Sequence, residues 1–230
     1  MPPQHPYRGV TRSLSLAGAV LASAIALGAS GGTNATPPPQ PAADLSPSWI
    51  ADDAVQTRLS AGEVVMRSAL EARSASVKAA IRVHASQLVV WKLITSCDSV
   101  SGFVPGMKRC ERLKTADDGS WAIVEHDIRY STLMPMIRSI VRSQYQAPHR
   151  IDFTGVGGNV KEESGSWVLE PAADGQMTTV EYSISIEPGF LVPRTVVRHS
   201  LSKELPVMLT GLRARAELLA TTASLAAPHP

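Results

Sequence analysis

One run near the end of the chain limits what the rest can fold into. Between Pro193 and Ala220, apolar residues fall at Val197, Leu201, Leu205, Met208, Leu212, Ala216 and Leu219. On a helix of about 3.6 residues per turn, that spacing draws one continuous stripe. Arg198, Ser202, Lys203, Arg213, Arg215 and Glu217 lie between the apolar positions. The run therefore predicts a two-faced helix of about 25 residues, long for a small domain. Its stripe needs a broad apolar cover. Pro206 interrupts the pattern, and an interior proline removes a helix hydrogen bond. A kink or break is expected between Ser202 and Pro206.

The segments before the helix supply the cover, because most of them read as strands. Val77, Ala79, Ile81, Val83 and Ala85 alternate with Lys78, Arg82 and His84, a half-buried strand with His84 on its polar face. Ser86 is a candidate N-cap for a short helix, Gln87 to Thr95. A second short turn spans Cys97 to Val104 and stops at Pro105-Gly106. Met107–Thr115 and Ser120–Tyr130 flank Ala116-Asp117-Asp118-Gly119, a hairpin signal. Ile140–Gln146, His149–Val156, Ser166–Glu170 and Met177–Glu187 complete the strands. Gly155, Gly157 and Gly158 mark a bulge or turn. The order predicts an α+β fold: a curved antiparallel sheet, apolar on one side, wrapped around the C-terminal helix.

The N-terminus carries a different signal. Arg8 and Arg12 precede an uncharged, Leu- and Ala-rich run to Gly32. A basic region followed by an apolar stretch and small residues is what a secretory leader requires. Its strictly apolar part, about 16 residues, is short for a membrane span. Residues 1–32 are thus expected as a cleaved leader, giving a periplasmic or secreted protein, and 33–48 as a Pro/Ala-rich linker. Residues 49–76 are expected as an N-terminal extension with a short helix in Trp49–Leu59. Gly62–Ala72 is either a strand or a helix, with the strand favoured. Residues 77–222 form the domain, and 223–230 a disordered tail.

With the elements in place, the chain resembles the helix-grip fold of the START-like (SRPBCC) superfamily, in its polyketide cyclase, lipid-transport and coenzyme-Q-binding branches. The resemblance is carried by VWKLITSCDSVSGFVPGMKRCERL, YQAPHRIDFTGVGGNVKEESGSWVLEP and TTVEYSISIEPGFLVP, followed by the terminal helix. It covers about Val77 to Leu219. It implies two short helices after the first strand of the domain and a deep apolar cavity between sheet and helix. That cavity would bind lipids, quinones or polyketide-like rings, in binders and enzymes alike. Many members of the superfamily work inside cells, and the leader sets this chain apart from them.

Candidate chemistry is sparse. His126 alternates with Glu125 and Asp127, so it shares the inward side with Val124, Ile128 and Tyr130. It is either a core or cavity histidine or a weak catalytic candidate for acid/base chemistry. Glu125 and Asp127 read as a solvated face. The histidines are scattered, no metal-ligand spacing occurs, and no cofactor is expected. Trp91, Phe103, Tyr130, Tyr145, Phe153, Trp167, Tyr182, Met208 and Leu212 are candidate ligand-binding residues, and equally ordinary core. Leu133, Met134, Met136, Ile137 and Ile140 either gate the cavity or cap the core. Arg194, Arg198 and Lys203 either meet acidic lipid headgroups in transient membrane contact or form a solvated face. Cys97 and Cys110 could pair in an oxidising compartment or stay as two thiols. With 22 basic and 20 acidic residues, net charge +2, nucleic acid is not an expected partner. The reading is a monomeric, non-enzymatic carrier of an apolar small molecule such as a lipid or quinone. The alternatives are a cyclase- or dehydratase-like enzyme using His126 or a cavity tyrosine, and a cell-envelope interaction module.

Overall fold

A computed structural model describes residues 49–129, 135–189 and 194–226. The leader and linker segments and Tyr130, Leu133 and Met134 lie outside the described residues. The chain runs through a 3₁₀ turn (Trp49–Ala51), α1 (Asp53–Ser60), β1 (Val65–Leu70), β2 (Ala75–Val83), α2 (Gln87–Thr95) and α3 (Cys97–Val100). Then come β3 (Met107–Thr115), β4 (Trp121–Ile128), β5 (Ile137–Gln146), β6 (Arg150–Gly158), β7 (Glu162–Pro171), β8 (Thr178–Glu187) and α4 (Arg194–Ala226). All eight strands form one antiparallel sheet in the order β1-β2-β8-β7-β6-β5-β4-β3. This is the helix-grip arrangement: the sheet curves about a long C-terminal helix, with α2 and α3 inserted after β2.

Alternation decides which side of the sheet faces the helix. In β2, Val77, Ala79, Ile81 and Val83 are fully buried, and they sit opposite Ile184, Tyr182, Val180 and Thr178 of β8. Leu201, Leu205, Met208, Leu212 and Ala216 of α4 complete this core. The stripe departs from expectation at one end. Leu219 is exposed, whereas Leu209, outside the expected stripe, is 0% accessible. No break occurs at Pro206, and α4 is helical from Arg194 to Ala226, into the stretch expected as a tail. Burial of Leu205, Met208 and Leu209 on either side of the proline holds the helix across the one hydrogen bond that proline cannot donate.

The strand favoured within Gly62–Ala72 is β1, and it is built into the sheet. β1 pairs along its full length with β2 as the edge strand. α1 is capped by Asp52, whose Oδ1 accepts from the Ala54 amide at 2.9 Å. It lays Val55 and Leu59 over Ala80 and Val65 on the outer side, with Ile50, as a second small core. Ser86 occupies the N-cap position of α2, but its side chain makes no capping bond.

Between β5 and β6 the register shifts at Ile140/Val141, which makes the glycine cluster a β-bulge. Gly158 has φ +101°, and a Cβ there would stand 2.1 Å from the Arg138 carbonyl oxygen. Only glycine fits the position.

The buried face of α4 should carry much of the stability. Leu209→Ala is expected to cost about 2–5 kcal/mol. Leu218→Ala, 64% exposed on the same helix, should stay within about 0.5 kcal/mol. Urea denaturation followed by circular dichroism measures both.

Candidate ligand-binding cavity

α4 packs its backbone closely on β2, β1 and α2. Its N-terminal half faces β4–β7 across open space, a cavity of about 690 Å³. That volume falls within the range of small-molecule sites. The sheet wall is formed by inward residues of successive strands: Val124 of β4, paired with Val141 of β5, then Phe153 of β6 and Trp167 of β7. Val197, Leu201, Leu205 and Met208 face them from α4. Phe103 and Val104, just after α3, and the Cys97–Cys110 disulfide close the side below α2. The bond joins α3 to β3 with a Cα–Cα distance of 5.2 Å. Trp167 and Tyr182 are 4.4 Å apart between ring centroids, and Phe153 stacks on Tyr182 at 6.1 Å. These aromatic rings form a continuous apolar floor.

The polar groups in this wall are few. His126 lines the cavity from β4, directly opposite Ser139 of β5. Burial pulls its pKa below the ordinary histidine value, because a low-dielectric surrounding disfavours the imidazolium. Glu163 lines it from β7 and accepts a hydrogen bond from Ser139 Oγ. Burial raises its carboxyl pKa, and the serine bond only partly offsets this. Tyr145 is also raised, first by burial; nearby Arg112 and a hydrogen bond with Ser143 act the other way. Arg112 lines the cavity from β3 and donates to the Thr95 carbonyl at the end of α2, 2.7 Å away.

Of the residues expected to contact a ligand, Phe103, Tyr145, Phe153, Trp167, Tyr182 and Met208 line the cavity, as does His126. Trp91 and Leu212 do not. Trp91 packs edge-on against Tyr145 with centroids 6.0 Å apart, and Leu212 is fully enclosed in the core. Both sit where α2 or α4 is already pressed against the sheet, leaving no space for a ligand. Met136 and Ile137 line the cavity. Ile140 pairs with Glu125 on the opposite face.

Glu125 and Asp127 are not the freely solvated pair expected. Arg138 Nε lies 2.9 Å from Asp127 Oδ1 and 3.3 Å from Glu125 Oε1, and Arg109 adds a contact of 3.4 Å to Glu125. The hydrogen bond from Arg138 holds the Asp127 carboxyl below its ordinary pKa. Guanidinium groups therefore shield these carboxylates on the outer face, and they play no part in the cavity.

Sequence reading missed Glu163 and Ser139. Glu163 follows Glu162 in a charged stretch, where a carboxylate normally signals solvent. A signal was present nonetheless, because Glu163 keeps the alternation of Gly165, Trp167 and Leu169, all on the inner face.

Residues 83–213 match the sequence profile of a family described as polyketide cyclase / dehydrase and lipid transport. No curated protein matches the chain in sequence. Solved structures with the same fold include a START superfamily protein from Mycobacterium smegmatis, 19% identical, with a TM-score of 0.55 over 63% of this chain and 98% of that one. The Zhui aromatase/cyclase from Streptomyces sp. R1128 is 15% identical, with a TM-score of 0.54 over 66% and 94%. A STAR-related lipid transfer protein from Xanthomonas axonopodis is 16% identical, with a TM-score of 0.53 over 66% and 98%.

His126 and Glu163, both buried in the cavity wall, oppose each other in pH dependence. For His126 the folded pKa is depressed, so the unfolded chain takes up the proton first and stability falls as pH drops below about 6.5. For Glu163 the folded pKa is raised, so stability falls as pH climbs above about 4.3, through the folded value. Melting curves across pH should show His126→Gln flattening the acid-side loss. Glu163→Gln should flatten the loss on raising pH. Slopes identical to the parent would contradict the assignment.

Proposed function

The chain belongs to the polyketide cyclase / dehydrase and lipid transport family, and from that premise we propose that it binds and carries an apolar small molecule, lipid- or quinone-like, without transforming it. The observation that supports this most is the cavity itself, about 690 Å³ walled mostly by aliphatic and aromatic side chains. A void of this size and character favours an apolar occupant, because apolar surface is removed from water on both sides. The non-enzymatic reading rests on the polar groups. An acid/base site needs a nucleophile or partner aligned with the base, and among the described residues His126 has no hydrogen-bond partner.

We place the protein outside the cytoplasm, in the periplasm or the medium. The leader-like N-terminus supports this, and so does the disulfide at the side of the cavity, since such bonds persist in oxidising compartments. It acts as a monomer in this reading. Arg198 and Lys203, on the polar side of α4, would provide transient contact with acidic membrane surfaces.

Native mass spectrometry of the purified protein should show a non-covalent adduct that is released as an apolar small molecule on denaturation. Ser200 faces the cavity from α4, and Ser200→Trp fills it from that side. The variant should retain the parent's circular dichroism yet lose at least about tenfold in affinity for a neutral prenylated quinone, read by tryptophan quenching. Unchanged affinity would mean that the quinone binds elsewhere.

A further inference from the structure

Three polar side chains converge on one patch of the apolar wall. His126 and Ser139 are direct cross-strand partners on β4 and β5, a relation that sets Cβ atoms about 5 Å apart. Ser139 Oγ donates to Glu163 Oε2 across β6. On β6, Ser139 is paired with Gly158, and Gly155, opposite Val141, lies beside Glu163. A Cβ at Gly155 would stand 3.3 Å from the Glu163 Cβ and 3.4 Å from its backbone. The glycine therefore opens the lane through which the glutamate arm reaches Ser139. Among the described residues, neither Glu163 Oε1 nor either ring nitrogen of His126 has a protein partner. Buried polar groups are normally satisfied. Here the unused capacity lies at the cavity, where a ligand would sit.

We propose that His126, Ser139 and Glu163 form the seat for a hydroxyl group, so that the natural ligand is an apolar alcohol or phenol whose hydrocarbon body fills the rest of the cavity. This rests on the carrier reading and specifies its ligand class. Chemistry selects the hydroxyl. Burial keeps Glu163 protonated to higher pH than usual and His126 unprotonated to lower pH than usual. The patch thus offers Glu163 Oε1, which can accept in either protonation state, together with an imidazole that carries one donor and one acceptor nitrogen. A hydroxyl, which both donates and accepts, satisfies both. An ether only accepts. An anionic head would lose its water beside Glu163 without a counter-charge. Arg138 points to the other face of β5 and is held by Asp127 and Glu125. Arg112, the one lysine or arginine among the described lining residues, reaches toward Thr95 at the end of α2.

The test compares dodecanol, dodecane, dodecyl methyl ether and dodecanoate as competitors of a neutral fluorescent probe on the purified protein. Dodecanol should bind about tenfold more tightly than dodecane or the ether, the value of two modest hydrogen bonds. Glu163→Leu should bring dodecanol to the level of dodecane. Glu163→Gln should retain the preference, because an amide also donates and accepts. Gly155→Ala should weaken the preference by crowding the glutamate arm. A parent protein that treats dodecanol and dodecane alike overturns the proposal and leaves the carrier reading standing. The same follows from an alcohol preference that survives Glu163→Leu. Tightest binding of dodecanoate, lost in Arg112→Gln, would move the polar seat to Arg112 and overturn the assignment. Failure of all four to bind overturns both readings.

Discussion

The structure depends on the contact between the stripe of α4 and the inner faces of β2 and β8. Leu205, Leu209, Leu212 and Ala216 are buried against strands whose inward residues are themselves fully enclosed. The helix closes down on the β1–β2 edge and on α2 and stands away from the curved strands beyond. Closure on one side and separation on the other come from the same geometry, one continuous helix placed in a sheet that curves around it. The cavity is the volume that this mismatch leaves. Its wall is mostly apolar because the strand residues that line it continue the alternation that fills the core elsewhere.

That origin explains why core and cavity residues look alike. Phe153, Trp167 and Tyr182 form an aromatic floor beneath the open space, while Val77, Ala79 and Ile81 occupy equivalent inward positions a strand or two away with no space above them. Period-two alternation says which side a residue faces. How far the helix stands from that side depends on sheet curvature and on where α2 and α3 prop it. Trp91 and Leu212 carry the same apolar signal as Trp167 and Met208, yet they fall where the layers touch.

Polar residues in such a wall have a different standing. A carboxyl and an imidazole placed inside a hydrocarbon surface cost stability unless something satisfies them, and their opposite pKa displacements both record that cost. On the outer face, Glu125 and Asp127 are matched with Arg109 and Arg138 and their charge is locally compensated. The alternation of β4 and β5 thus separates two kinds of acid–base group by a single sheet thickness. One set is paired with guanidinium groups and structural, and the other is open to a ligand.

From sequence alone, the element order, the inward and outward faces of the strands, the terminal helix and its stripe as far as Ala216 were legible, because periodicity is a local property of the chain. The break expected at Pro206 was also a local argument, and burial of neighbouring leucines overrode it. Membership of β1 in the sheet, the second small core under α1 and the size of the cavity became visible only in the folded chain. So did the meeting of His126, Ser139 and Glu163. They come from strands β4, β5 and β7, far apart in the chain, and are joined through a glycine gap that no periodicity announces. Local pattern determined what each segment is. Long-range register and the stand-off between helix and sheet decided where the cavity lies and which groups line it.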